Sequence, residues 1–188
     1  MIVADKLKTT NRAEYLLYMW QVEDLIRAFH CDEELIAEKY VSTFNLDEKQ
    51  RKRMSRWYAD LCEMMRTEGL RKTGHMQICQ NILQELEELN SRLLASPKFP
   101  YYKQMYYRIL PYIVELRRRQ QTHIGTPGEE LQDSELTTCF DFLYGVILLR
   151  LQHKQISQQT AQAVTDISKF LGQLSDYYFL NKKEHIRF

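Results

Sequence analysis

Apolar residues recur along this chain at spacings of three and four, the repeat of one face of an α-helix. Near the start, Tyr15, Met19, Val22, Ile26 and Phe29 keep that repeat. Thr160, Val164, Ile167, Leu171, Leu174 and Tyr178 keep it near the end, and Cys79, Leu83, Leu86 and Asn90 or Leu93 keep it in the middle. Alternation with period two, the mark of a half-buried strand, is almost absent. Glycine and proline punctuate the pattern at Gly69 to Gly74, Pro97 to Pro100 and Gly125 to Gly128. Helix starts are written locally. Asn11 with Glu14 and Asn45 with Glu48 have capping-box spacing. Thr126-Pro127-Gly128-Glu129 puts proline at a first helical position, where no donor is lost. Ser96-Pro97 and Ser157 read as further caps. The pattern predicts helices over 11–30, 32–43, 46–68, 75–95, 99–121, 129–153 and 157–181. They amount to one all-α domain over residues 1–188, a single irregular bundle of six or seven helices. No segment repeats, so a solenoid is not expected.

Composition supports helices and points to no activity. Six glycines and four prolines in 188 residues leave little material for turn-rich β folds or Gly-rich phosphate loops. The net charge of +1 gives no global field toward nucleic acid or membrane. Basic excess is confined to 46–74 and 97–128, with acidic excess between and around them. No apolar run reaches the roughly 18 residues of a membrane span, and the N-terminus lacks a signal peptide's apolar stretch, so a cytoplasmic protein is expected. Cys31, Cys62, Cys79 and Cys139 show no C-x-x-C spacing and read as reduced, buried thiols.

The candidate chemistry is sparse. A di-iron bundle needs glutamate three residues before histidine, twice. Those positions hold Arg27, Lys72, Gln120, Arg150 and Lys182 ahead of His30, His75, His123, His153 and His185. His75 and Cys79 share one helical face, with Cys62 the only further thiol on an adjacent helix. A structural zinc wants four ligands, and Cys79 lies on an apolar stripe, so neither metal nor cofactor is expected. No nucleophile motif or phosphate loop occurs, so no catalytic residue is assigned and an enzyme is not the first reading. Asp141 is the most informative carboxylate. Its helix is apolar on nearly every face, which predicts a buried polar site there, with Gly145 one turn on leaving space for a neighbouring helix. Lys49 to Arg56 and Arg117-Arg118-Arg119 are basic enough to raise nucleic acid, although solvated faces explain them first.

The helix at 99–121 is the most unusual element. Tyr102, Met105, Tyr106, Ile109, Ile113 and Leu116 form one stripe, assigned to the core. Tyr107 and Val114 fall well outside it, beside Lys103 and Arg118. Either this helix is sandwiched between two others, which is the first reading, or these four residues form an exposed partner surface. Pro111 removes one backbone bond and predicts a kink.

Four stretches carry a resemblance: Asn11 to Ala28, Pro111-Tyr-Ile-Val-Glu-Leu-Arg117, Cys139-Phe-Asp-Phe-Leu-Tyr-Gly145 and Leu148-Leu-Arg-Leu-Gln152. In these the chain resembles an uncharacterised, mostly Bacteroidetes family, domain of unknown function 4924, over nearly its whole length. The resemblance implies a small cytoplasmic all-α protein and supplies no activity. The first functional reading is a non-enzymatic interaction module, a homodimer or a binder of another protein, for which 12 tyrosines supply contact area. The alternatives are a small-molecule enzyme or binder with a pocket near Asp141, and a nucleic-acid-associated protein using the basic faces.

Overall fold

Eight α-helices carry almost all of the described residues. In the computed structural model, the backbone is described for residues 2–124 and 134–188, and side chains for 3–119 and 134–188. The helices are α1 (Ile2–Thr10), α2 (Arg12–Ala28), α3 (Glu33–Lys39), α4 (Glu48–Thr67), α5 (Gln77–Ala95), α6 (Pro100–Ile124), α7 (Glu135–Leu151) and α8 (Gln158–Glu184). A 3₁₀ turn, Val41–Thr43, follows α3, and the described residues contain no strand. The all-α reading therefore holds, with one helix more than the pattern gave. That helix is α1, which is short and buries Ala4 alone among its described hydrophobics. Nine residues with one buried alanine offer no stripe for a periodicity argument.

The caps follow the expected chemistry, with shifts of a residue or two. Asn11 accepts from the Glu14 N–H, and Ser157 accepts from the Thr160 N–H, as expected. Asp47, not Asn45, caps α4, and it forms a reciprocal capping box with Gln50. The same three-residue spacing is available at both positions, and the charged acceptor sits on the helix start. Ser96 bonds the Lys98 N–H in the loop instead of capping, and α6 begins on Pro100. The start read at Thr126-Pro127 lies outside the described residues.

Three of the five histidines close helices. His30, His153 and His185 all adopt left-handed backbone, with φ of 58°, 56° and 50°. After α2 and α7 they complete the six-to-one bond of a Schellman ending, Cys31 N–H to Ile26 C=O and Lys154 N–H to Leu149 C=O. Histidine tolerates this region better than most residues, and its cationic form suits a helix C-terminus.

The chain divides into two compact units, residues 1–82 and 83–188, with the division inside α5. The first holds α1 to α4. Leu16, Met19, Ile26, Ile36, Tyr58, Cys62 and Met65 form its core, and Tyr40 meets Phe44 and Tyr58 edge-on. In the second, α6 packs against both α7 and α8. Its core holds Leu86, Leu93, Tyr102, Ile109, Ile113, Phe140, Phe170 and Leu174. All four cysteines are free and buried, as read from their spacing. Burial pushes the Cys62 thiol up to about 11 and the Cys139 thiol up to about 12. No helix among the described residues is long and apolar enough to cross a membrane.

Gly145 does not serve a close helix approach. A Cβ there meets nothing within 4 Å, and the same holds at Gly172. Gly145→Ala is therefore expected to raise stability by about 0.5–1 kcal/mol, by removing glycine's entropy cost inside a helix. At the end of the same helix glycine is instead the favoured residue, because the backbone there is left-handed. His153→Gly should stabilise by up to about 1 kcal/mol, by relieving the left-handed strain of a side chain. Thermal melts of the two variants measure both effects, and a lowered midpoint for Gly145→Ala would mean that its open space is filled.

Candidate functional site

The outer side of α6 is where the sequence and the structure meet most directly. Its inner stripe packs as expected: Tyr102, Ile109 and Ile113 are buried, and Met105, Tyr106 and Leu116 are half-buried. The helix runs unbroken through Pro111, and Ile113 and Leu116 keep the inward phase. Tyr107 is 65% exposed and Val114 60% exposed. The sandwiched arrangement is thus replaced by the exposed one: among the described residues no helix covers Tyr107 or Val114.

Tyr107, Pro111 and Val114 lie on successive turns, about 10 Å from first to last along the axis. The three are exposed, and the Tyr107 ring leans on Tyr106 at 5.5 Å between centroids. Tyr106 is anchored in turn by donating its phenol to Glu135 over 2.6 Å, and burial with that carboxylate pushes the phenol up to about 12. The base of the exposed tyrosine is therefore held from below. Cations flank the apolar trio. Lys103 is half-buried and Arg108 exposed, and neither has an ion-pair partner among the described residues. Arg118 and Arg119 both bond Glu115, and Arg117 turns inward to Thr138. The pairing with both arginines holds the Glu115 carboxyl below its usual range.

Asp141 is half-buried, not enclosed. A cleft of about 300 Å³ in this unit is lined by Pro111, Tyr112, Leu116, Arg119, Phe142 and Ala163 among others, and Asp141 does not line it. The pocket reading built on Asp141 has no geometric support there. Lys49, Lys52, Arg53 and Arg56 are exposed, with Lys52 paired to Glu48 and Arg53 to Asp5.

The most enclosed carboxylate among the described residues stands on α2 instead. Glu23 is wholly buried. Its Oε1 accepts the Met76 N–H at 2.9 Å, and its Oε2 lies 2.6 Å from His75 Nδ1. Burial, with this negative neighbour beside it, pushes the Cys79 thiol up. His75 stacks on Trp20 at 4.1 Å and 16°. One turn along, Arg27 donates to the carbonyls of Leu70 and Gly74. Between them Glu23 and Arg27 fasten the α4–α5 loop. Gly69 and Gly74 make its turns, both at positive φ, and a Cβ on Gly74 would meet Leu70 Cδ2 at 2.9 Å. Glu23 and Glu68, which accepts the Gln77 N–H, together supply the anionic cap of α5. Sequence reasoning set His75 and Cys79 on one helical face, expected no metal there, and missed Glu23, the carboxylate that lies beside both. Among the described residues no group of three His, Cys, Asp or Glu side chains is arranged to hold a metal ion.

Residues 1–185 match a family whose description is Domain of unknown function (DUF4924). No curated protein and no solved structure matches the chain.

Proposed function

The chain belongs to the DUF4924 family, and from that premise we propose that it is a helical binding module that engages a protein partner through the outer side of α6. The observation carrying this reading is the trio Tyr107, Pro111 and Val114, exposed on consecutive turns of a helix whose opposite stripe is core. Single exposed apolar residues need no explanation, but a tyrosine with a supported base beside an aliphatic turn resembles the anchors that dominate protein interfaces. Lys103 and Arg118 border that patch and belong to the same surface.

The test places a photo-crosslinking phenylalanine analogue at Tyr107 in the cells that make the protein. A discrete adduct is expected from that position, and Val114→Asp in the same chain should abolish it while leaving the thermal melt unchanged. The same analogue at Leu151, which is equally exposed at 65%, serves as the control. Equal labelling from both positions would remove the reading.

A further inference from the structure

The charge around the exposed trio selects the kind of partner. We propose that the α6 face binds an acidic amphipathic helix, an inference that rests on the binding reading above. On α6 itself Lys103, Arg108, Arg118 and Arg119 set four cations near Tyr107, Pro111 and Val114, with Glu115 the one carboxylate between residues 103 and 119. That carboxylate is already shared by two of the arginines. From neighbouring helices, Asp166 lies in a cleft with Arg108, and Glu135 is bonded by Tyr106. Lys103 and Arg108 flank the N-terminal half of the patch, and Arg118 and Arg119 flank the C-terminal half. A helix laid along α6 with an apolar stripe and acidic borders meets complementary charge at both ends. Such borders steer association and fix register, while the apolar centre supplies the retention.

Two other occupants fit less well. A second copy, paired through a two-fold axis at Pro111, sets Lys103 of one chain opposite Arg119 of the other and adds no unshared carboxylate. Like charges would then face each other along a desolvated seam. Nucleic acid needs cations along the centre of its track and flat rings for stacking. Here the centre holds one ring, Tyr107, followed by a proline and a valine, and Glu115 lies beside them facing the same solvent.

Labelled synthetic peptides about five helical turns long test the proposal by fluorescence anisotropy. The first carries a leucine stripe with glutamate borders, the second the same stripe with lysine borders, and the third the residues of the first in scrambled order. An oligothymidylate is the fourth probe. The glutamate-bordered helix is expected to bind at least about tenfold more tightly than the other three, and less tightly as salt rises. Arg108→Glu with Arg118→Glu should weaken it about tenfold and reverse the preference toward lysine borders. Tyr107→Ala should weaken both stripe peptides alike. Equal binding of the two stripe peptides, each lost in Tyr107→Ala, would overturn the acidic partner and leave the binding face standing. No binding by any probe, or binding indifferent to Tyr107→Ala, would overturn the acidic helix at this face, and the crosslinking result then decides whether the face binds a protein at all. Tight binding of the oligothymidylate, or self-association lost in Tyr107→Ala, would assign the face to nucleic acid or to a second copy.

Discussion

Glu23→Ala is expected to destabilise the first unit by about 2–4 kcal/mol, because it strands a buried N–H and opens a cavity where a carboxylate stood. The Met76 N–H is the first casualty. It lies at the start of α5 with no other acceptor, and Met76 itself is wholly buried. His75 loses the partner of its Nδ1, which leaves the ring to be oriented by its stack on Trp20. Arg27 loses the carboxylate 4.0 Å from its Nη2, while keeping Asp24 and its two carbonyls. Glu23→Gln should cost less. Its amide oxygen still accepts from Met76, and its NH₂ faces His75 Nδ1, which a change of tautomer turns into an acceptor. Both tryptophans, Trp20 and Trp57, lie in this unit, so urea unfolding followed by tryptophan fluorescence reads the effect where it arises. The expected order is wild type, then Gln, then Ala. An alanine variant within about 0.5 kcal/mol of wild type would show that water replaces the carboxylate at no cost, and the loop would then be held by Arg27 alone.

The contrast between Glu23 and Asp141 shows what a sequence of this kind discloses. Helical periodicity gave the inward stripes of α2, α6 and α8 nearly residue for residue, because burial of one face is what makes these helices stable. It also placed Tyr107 and Val114 off the core stripe of α6. It did not say whether a second neighbour covers them, since periodicity reports one helix's faces and not how many partners those faces have. Polar burial was harder to read. Asp141 looked enclosed because its own helix is apolar, yet α7 leaves that position half-open. Glu23 looked unremarkable among charged neighbours on α2. It lies on the helical face of Met19, Trp20 and Ile26, and that placement was the one available signal: a carboxylate at a core position needs donors. The donors come from a loop more than 50 residues away, a distance at which local pattern is silent. Histidine misled in the other direction. Screened for a di-iron spacing that they lack, three of the five serve as left-handed helix endings, a role decided by backbone geometry that the screen did not consider.

In the second unit the largest expected loss is at Tyr102. Its ring is wholly buried on α6, packed against Phe170 at 5.1 Å and edge-on to Tyr177 at 5.7 Å. Its phenol donates to Asn90 Oδ1 on α5 over 2.7 Å, and burial pushes that phenol up, which favours the neutral donor form. Tyr102→Ala removes the ring and leaves a cavity among rigid neighbours, with an expected cost of about 3–5 kcal/mol. Tyr102→Phe separates the two contributions. It keeps the packing and strands the Asn90 acceptor, which is buried, at an expected cost of about 1–2 kcal/mol. If that cost belongs to the hydrogen bond, it should vanish once Asn90 has already been replaced. In an Asn90→Leu background, Tyr102→Phe is therefore expected to change stability by less than about 0.5 kcal/mol, the difference between the two backgrounds being the coupling energy. Urea unfolding followed by far-ultraviolet circular dichroism supplies all four corners of the cycle. A loss on Tyr102→Phe that persists undiminished without Asn90 would mean that the hydroxyl acts through some other contact, and that its bond to Asn90 adds nothing to the joining of α5 and α6.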